Sequence, residues 1–281
     1  MSNLHISQAI EDLLVARNPR GMKTVQTALK PGYILRAAEL IQQATGNVLI
    51  GTGFPVDQTF ETDGPPGAIA LYRTIEQLGG QPVLVCGAPL ANHLQADFRV
   101  HQISINQTAT RQQEAQAALD QHRPTLIISI ERPGLNAQGL YCNMRGEDIS
   151  QRCASFDDFL NLAQCPTIAI GDGGNEIGMG NVLDSLAGMN IMPSVTTCDE
   201  LVVADVSNWG AHGLIAMLSA LTQTDILAQW DNIEVLNYLS QRGSVDGVSR
   251  ENTLTEDSLS SDISEKLILD LREITGFYEN K

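Results

Sequence analysis

Short apolar runs bounded by turn residues recur along this chain at 47–51, 82–87, 100–105, 125–130, 167–171 and 201–206, and each reads as a strand. Between them lie 33–44, 67–78, 108–121 and 156–163, where apolar residues recur three or four apart, the spacing of a helix with one covered face. Strands that alternate with helices join in parallel through crossovers that lay the helices against the sheet. The alternation therefore predicts an α/β fold of three layers, a mainly parallel sheet with helices on both faces. We read residues 1–281 as a single α/β domain with its core at about 33–222, and no internal repeat interrupts it.

The two ends differ from this core. At 1–17, Leu4, Ile6, Ile10, Leu13 and Leu14 form the apolar stripe of a helix that packs on the sheet or on a neighbouring subunit, so a homo-oligomer is one expectation. At 225–281 the chain holds 12 acidic and 5 basic residues, and this acidic segment is expected to be helical at its end. Its polar, Gly- and Ser-bearing stretch 241–261 reads as a loop or mobile linker before a last helix at 264–274.

Charge and cysteine usage narrow the class of partner. With 33 acidic and 17 basic residues the formal charge is −16, which argues against nucleic acid or an anionic membrane surface as a partner. No apolar run reaches the length of a bilayer span, and Glu11 and Asp12 stand where a secretion signal would need an apolar stretch. The five cysteines are scattered and lack C-x-x-C spacing, so neither a disulfide framework nor a zinc site is expected. A cytoplasmic location fits this pattern best.

Four segments at expected strand ends carry polar chemistry, and ligands of parallel α/β sheets bind beyond the carboxyl ends of the strands. Thr52 and Gly53 follow the first strand and lead to Glu61-Thr62-Asp63-Gly64-Pro65-Pro66, where Asp63 or Gly64 sits at the start of a helix. Asp63 can act there as a simple cap, whereas Glu61 has no such role. Glu131-Arg132 follows the fourth strand and continues to Asn143 and Arg145. An arginine can grip a carboxylate with two parallel hydrogen bonds, although Arg132 and Arg145 can equally serve structural ion pairs with Glu131, Glu147 or Asp148.

The third segment, 171–181, sets Asp172, Asn175 and Glu176 among five glycines, and glycine lets backbone N–H groups approach a ligand closely. If a helix begins at Gly174, Glu176 falls in its first turn and Asp172 in the loop before it. The fourth is Ser207-Asn208-Trp209-Gly210-Ala211-His212, with two hydrogen-bonding side chains, an aromatic wall and a histidine that is either an acid–base group or a structural partner. None of these loops matches the P-loop or the full dinucleotide fingerprint.

Together, Gly51-Thr52-Gly53-Phe54, Glu61 with the Pro-Pro-Gly turn, Glu131-Arg132 with 141–146, the glycine-rich run and Ser207-Asn208-Trp209-Gly210 resemble the D-glutamate cyclase family, over about 46–222. The resemblance implies a carbon–oxygen lyase of D-amino acid metabolism that interconverts D-glutamate and 5-oxo-D-proline with loss of water. Such a reaction needs one carboxyl group to take a proton from the ammonium and another to deliver one to the departing oxygen. Asp172, Glu176, Glu61 and Asp63 are the candidates. Arg132 or Arg145 would hold the α-carboxylate, Asn143, Asn175, Ser207 and Asn208 would contact the substrate, and backbone N–H groups of Gly173 and Gly174 or of Thr52 and Gly53 would meet the developing oxyanion. No cofactor is required, although Mg²⁺ or Ca²⁺ at Asp172 and Glu176 would suit oxygen ligands. The competing readings are a Mg²⁺-dependent nucleotide- or phosphate-using α/β enzyme and a non-enzymatic protein that binds a small acid.

Overall fold

The computed structural model describes residues 1–107 and 109–279; Thr108, the first residue of the helix expected at 108–121, and Asn280 and Lys281, the last two of the acidic segment, lie outside the described residues. The sheet has six strands: β1 (Asn47–Gly51), β2 (Gln81–Cys86), β3 (Val100–Gln102), β4 (Leu126–Ile130), β5 (Thr167–Gly171) and β6 (Glu200–Val203). All pair in parallel, in the order β3-β2-β1-β4-β5-β6. The central strands are buried along nearly their whole length, which is why their sequences are continuously apolar rather than alternating. β3 stops short of the expected 105 because Ile105 leaves the sheet to pair with Ala154.

The long helices are α1 (Asn3–Leu14), α2 (Tyr33–Gln43), α3 (Pro65–Gln77), α4 (Arg111–His122), α5 (Ser207–Thr222) and α6 (Ser261–Ile274). On one face of the sheet, α5 is enclosed by α1, α2, α3 and α6. Its apolar residues run all around the helix axis for that reason: every residue from Ser207 to Ala220 is buried. The other face is covered by α4 and the short helix Asp157–Asn161, with Phe156 and Phe159 stacked 4.6 Å apart beneath them. The protein is thus a three-layer α/β structure. No helix among the described residues is long and apolar enough to cross a membrane.

The strand order reverses between β1 and β4, and a crevice outside the carboxyl ends of the sheet opens at such a reversal. Two short hairpins, Pro55–Val56 with Thr59–Phe60 and Thr255–Glu256 with Leu259–Ser260, lie at this end. The stretch 241–261, expected as a linker, is tied down instead. Asp246 accepts hydrogen bonds from the N–H groups of Val248, Ser249 and Ser258 at 2.7–3.0 Å and from the Thr255 hydroxyl at 2.6 Å. The Thr62 N–H donates to the Val245 carbonyl at 2.8 Å, so the segment is stitched to the loop after β1.

Candidate active site: an acidic floor beneath an arginine rim

A cavity of about 390 Å³ opens at the β1/β4 reversal. Among its lining residues, Glu61, Glu131, Asp172 and Glu176 are buried carboxylates, joined by the partly covered Asp257. Asp63 lies against this floor: an oxygen of Asp63, of Glu131 and of Asp172 all fall within 4.8 Å of one another. Among the described residues a single guanidinium enters the group. Arg20, from the loop after α1, donates from Nη2 to Asp172 at 2.5 Å, to the Asp257 carboxylate and to the Asp205 carbonyl at 2.9 Å.

Glu131 follows directly on β4 and sits at the centre. Its backbone is left-handed, φ 45°, a conformation that costs a side-chain-bearing residue energy and is found where function demands it. Gly64 makes room for it, since a Cβ there would stand 2.8 Å from the Cβ of Glu131. The Ser207 hydroxyl donates to Glu131 Oε2 at 2.5 Å. Burial, then the charges of Glu176 and Asp63, hold the Glu131 carboxyl well above the usual carboxylate range. Burial does the same to Asp172 against the opposing pull of Arg20, and to Glu61, where the charge of Glu131 adds to it. Oε1 of Glu61 and Nε of Arg20 find no hydrogen-bond partner among the described residues, and both belong to side chains that line the cavity.

Asp63 caps a helix, though not its own. Its oxygens accept the N–H groups of Ser207 and Asn208 at 2.7 Å, the first of α5, as well as that of Gly64 at 2.8 Å. Burial and the charge of Asp257 nevertheless push its carboxyl up to about 8. Asn208 completes the joint: its Oδ1 accepts from the N–H of Gly64 and of Gly67 at 2.9 Å, and its Nδ2 donates to the buried Glu256 at 2.6 Å.

Of the residues expected from sequence, Glu61, Asn143, Arg145, Asp172, Gly173, Asn175 and Glu176 line the cavity. Thr52, Gly53, Arg132, Gly174, Ser207 and Asn208 do not, and act from behind it. Arg132 is corrected most: it is buried, its Nη1 donates to the carbonyls of Thr52 at 3.0 Å and Gly53 at 2.7 Å, and its Nη2 donates to Ala154. The guanidinium binds loops together behind the cavity, its Nε buried without a partner among the described residues and outside the cavity lining. No helix starts at Gly174. The chain there is irregular up to the 3-10 turn Met179–Val182, and Glu176 folds back so that its Oε2 accepts the Gly174 N–H at 2.7 Å. That N–H is consumed by the loop's own carboxylate, and the Thr52 N–H by the Val85 carbonyl, so neither is free for an oxyanion. Trp209 donates to the Ser264 hydroxyl and His212 packs on Trp230, both away from the cavity, and burial pushes His212 down to about 4.

Sequence reasoning missed Arg20, Asp257 and the site role of Glu131. Glu131 carried a signal, the first residue after a strand at the reversal. Arg20 and Asp257 carried none, because each reaches the floor from a segment remote in sequence. Among the described residues, the group of oxygens suited to a hard cation is Asp63, Glu131 and Asp172, which includes Asp172 and leaves out Glu176. Arg20 on Asp172 and the N–H groups on Asp63 already occupy part of that donor set.

The rim is of opposite character. Arg250 pairs with Glu147 at 2.9 Å and with Asp57 at 3.5 Å, and Arg152 with Asp57 at 3.6 Å. The exposed Arg145 donates to the Val248 carbonyl at 2.8 Å and pairs with no carboxylate among the described residues.

Residues 10–272 match the family model described as D-glutamate cyclase-like, C-terminal. The chain is 30% identical over 262 residues to human mitochondrial D-glutamate cyclase, covering 82% of this chain and 42% of that protein, so it spans less than half of the relative's length. An exopolyphosphatase-related protein from Bacteroides fragilis gives a TM-score of 0.43 at 9% identity, over 90% of this chain and 62% of that one, a likeness too low to carry an argument.

Proposed function

This chain belongs to the D-glutamate cyclase-like family, and from that premise we propose that it interconverts D-glutamate and 5-oxo-D-proline with loss of water. The observation that carries the reading is the cluster of Glu61, Asp63, Glu131, Asp172 and Glu176, buried at the β1/β4 reversal around one guanidinium. Carboxyls so placed hold protons near neutral pH that exposed ones release, and neighbouring members titrate as a unit, one protonated while the next is not.

In the forward direction the α-nitrogen attacks the γ-carbon, the new N–C bond closes the ring, and the γ C–O bond breaks with oxygen leaving as water. Ionised Glu131 takes the proton that frees the amine. The nitrogen gives up a second proton as the amide forms, and the departing oxygen takes two, one from its neutral neighbour Asp172 and one returned through the carboxyls of the cluster, so the site ends with the protons it began with. The ammonium is drawn to the acidic floor and the α-carboxylate to Arg145 at the rim, which curls the substrate toward ring closure. With its loop N–H groups spent on Glu176, the oxyanion is met by neutral carboxyls and by Arg20.

The test is chiral chromatography with mass detection of the purified chain with D-glutamate, and of the reverse reaction in ¹⁸O-water, which places label in the γ-carboxyl. No product in either direction would overturn the reading. Activity should survive dialysis against a chelator; loss restored by Mg²⁺ or Ca²⁺ would assign a cation to Asp63, Glu131 and Asp172.

A further inference from the structure

We propose that the same site releases amines from γ-D-glutamyl amides, closing 5-oxo-D-proline and expelling the amine in place of water. The inference rests on the cyclase reading and extends its substrate class.

Size is the first observation. Glutamate's ten non-hydrogen atoms fill roughly 150 Å³ at protein packing density, whereas the cavity holds about 390 Å³, the range of pockets that enclose considerably larger ligands. The surplus is partly apolar. Phe54, Val56, Met144, Met189 and Ile191 share the lining with Asn143 and the arginines of the rim, and Met144, Met189 and Ile191 are half-buried. Free glutamate, its α-carboxylate at Arg145, leaves that apolar wall uncovered. A substituent on the γ-carbonyl covers it, and methionines adapt to groups of varied shape.

The chemistry suits the floor at least as well. In a γ-D-glutamyl amide the α-amine attacks the γ-carbon, the new N–C bond forms, and the bond to the amide nitrogen breaks. The proton removed from the attacking nitrogen by Glu131 is matched by one delivered to the leaving nitrogen, so 5-oxo-D-proline and the free amine account for every atom with no water or co-reactant. A leaving amine needs one proton from a neutral carboxyl, whereas the oxygen of a free carboxylate needs two to leave as water, so the amide makes the smaller demand on the same donors.

The experiment uses the full chain with γ-D-glutamyl-4-nitroanilide and γ-D-glutamyl-L-alanine beside D-glutamate, reading free amine and 5-oxo-D-proline together. We expect equimolar amine and 5-oxo-D-proline, with kcat/KM at least tenfold above that for D-glutamate. The variants Met144→Ser and Ile191→Ser should each lower the ratio of the amide's kcat/KM to that of D-glutamate by about five- to tenfold, D-glutamate turnover in the same sample reporting that the protein is folded. Turnover of D-glutamate without the amides overturns this inference and leaves the cyclase reading standing. Turnover of the amides alone upholds it and removes free D-glutamate as substrate. Turnover of neither overturns both, as does amine release without 5-oxo-D-proline for the inference alone.

Discussion

At the rim of the cavity, Arg250 meets Glu147 and Asp57 with all three side chains partly in water, and hydrogen bonds from Asn143 and Arg250 hold the Glu147 carboxyl below the usual range. Deeper in, Glu61, Asp63, Glu131, Asp172 and Glu176 crowd around Arg20 with almost none of their surface exposed, and every one of them is pushed upward. The residue types are the same; the solvent is not. Exposed carboxylates are neutralised by pairing, at little cost and little gain. Buried ones that outnumber their cations are neutralised by keeping protons, and a kept proton is one that can be given to a substrate.

The sharpest way to break this contrast is at its centre. Glu131→Gln keeps shape and the Ser207 hydrogen bond but removes proton exchange, and should lower kcat about 10³-fold while the fold stays intact. A loss below tenfold would remove Glu131 from the chemistry. Asp172→Asn and Glu176→Gln should cost less, on the order of 10²-fold each, because other protonated carboxyls of the cluster can deliver the proton that Asp172 gives and Glu176 acts in part by holding its own loop. Near-normal turnover in both would shift the acid–base work to Glu61 and Asp63.

The stability of the protein should register the floor as well. Its carboxyls hold protons that the unfolded chain has released, so their contribution is fully present below the ordinary carboxylate range and is lost as pH rises toward the native value, about 8 for Asp63. Between pH 6.5 and pH 8 the melting temperature should fall by about 5–10 °C, a fall that the half-protonated unfolded His212 at the lower pH opposes only slightly, and Glu131→Gln should flatten that slope. A melting temperature that rises over this interval would contradict kept protons. At the rim the effects should be smallest: Arg250→Ala should move the melting temperature by less than about 2 °C and raise KM about two- to threefold, the change vanishing in high salt.

The difference between floor and rim also explains what could be read in the sequence. The strands were legible because β1, β4 and β5 are buried on both faces, so solvent avoidance alone writes them as apolar runs. Asp172 and Glu176 were legible because they follow a strand within a few residues. The acid capping of α5 by Asp63 was not, since the partners are 144 residues apart and capping looks local in sequence. Arg132 misled because a guanidinium bound to three carbonyls and one poised for a ligand are the same letter. The stretch 241–261 looked like a linker from its polarity, yet its polar groups bond inward to Asp246.

The pairing of Arg20 with Asp257 spans 237 residues, nearly the whole chain. The sheet can form from neighbouring segments, but the floor gains the positive charge of Arg20 only when the loop after α1 and the hairpin before α6 have both arrived, and contacts of such separation form late. Order of assembly thus becomes a safeguard. A partly folded chain has the acids without their counter-charge and without the Gly247 loop that closes over Glu61, where any Cβ would collide with the carboxylate. During refolding, helical signal should therefore return before catalytic competence does, and simultaneous recovery of the two would show that the distant segments dock earlier than their separation implies.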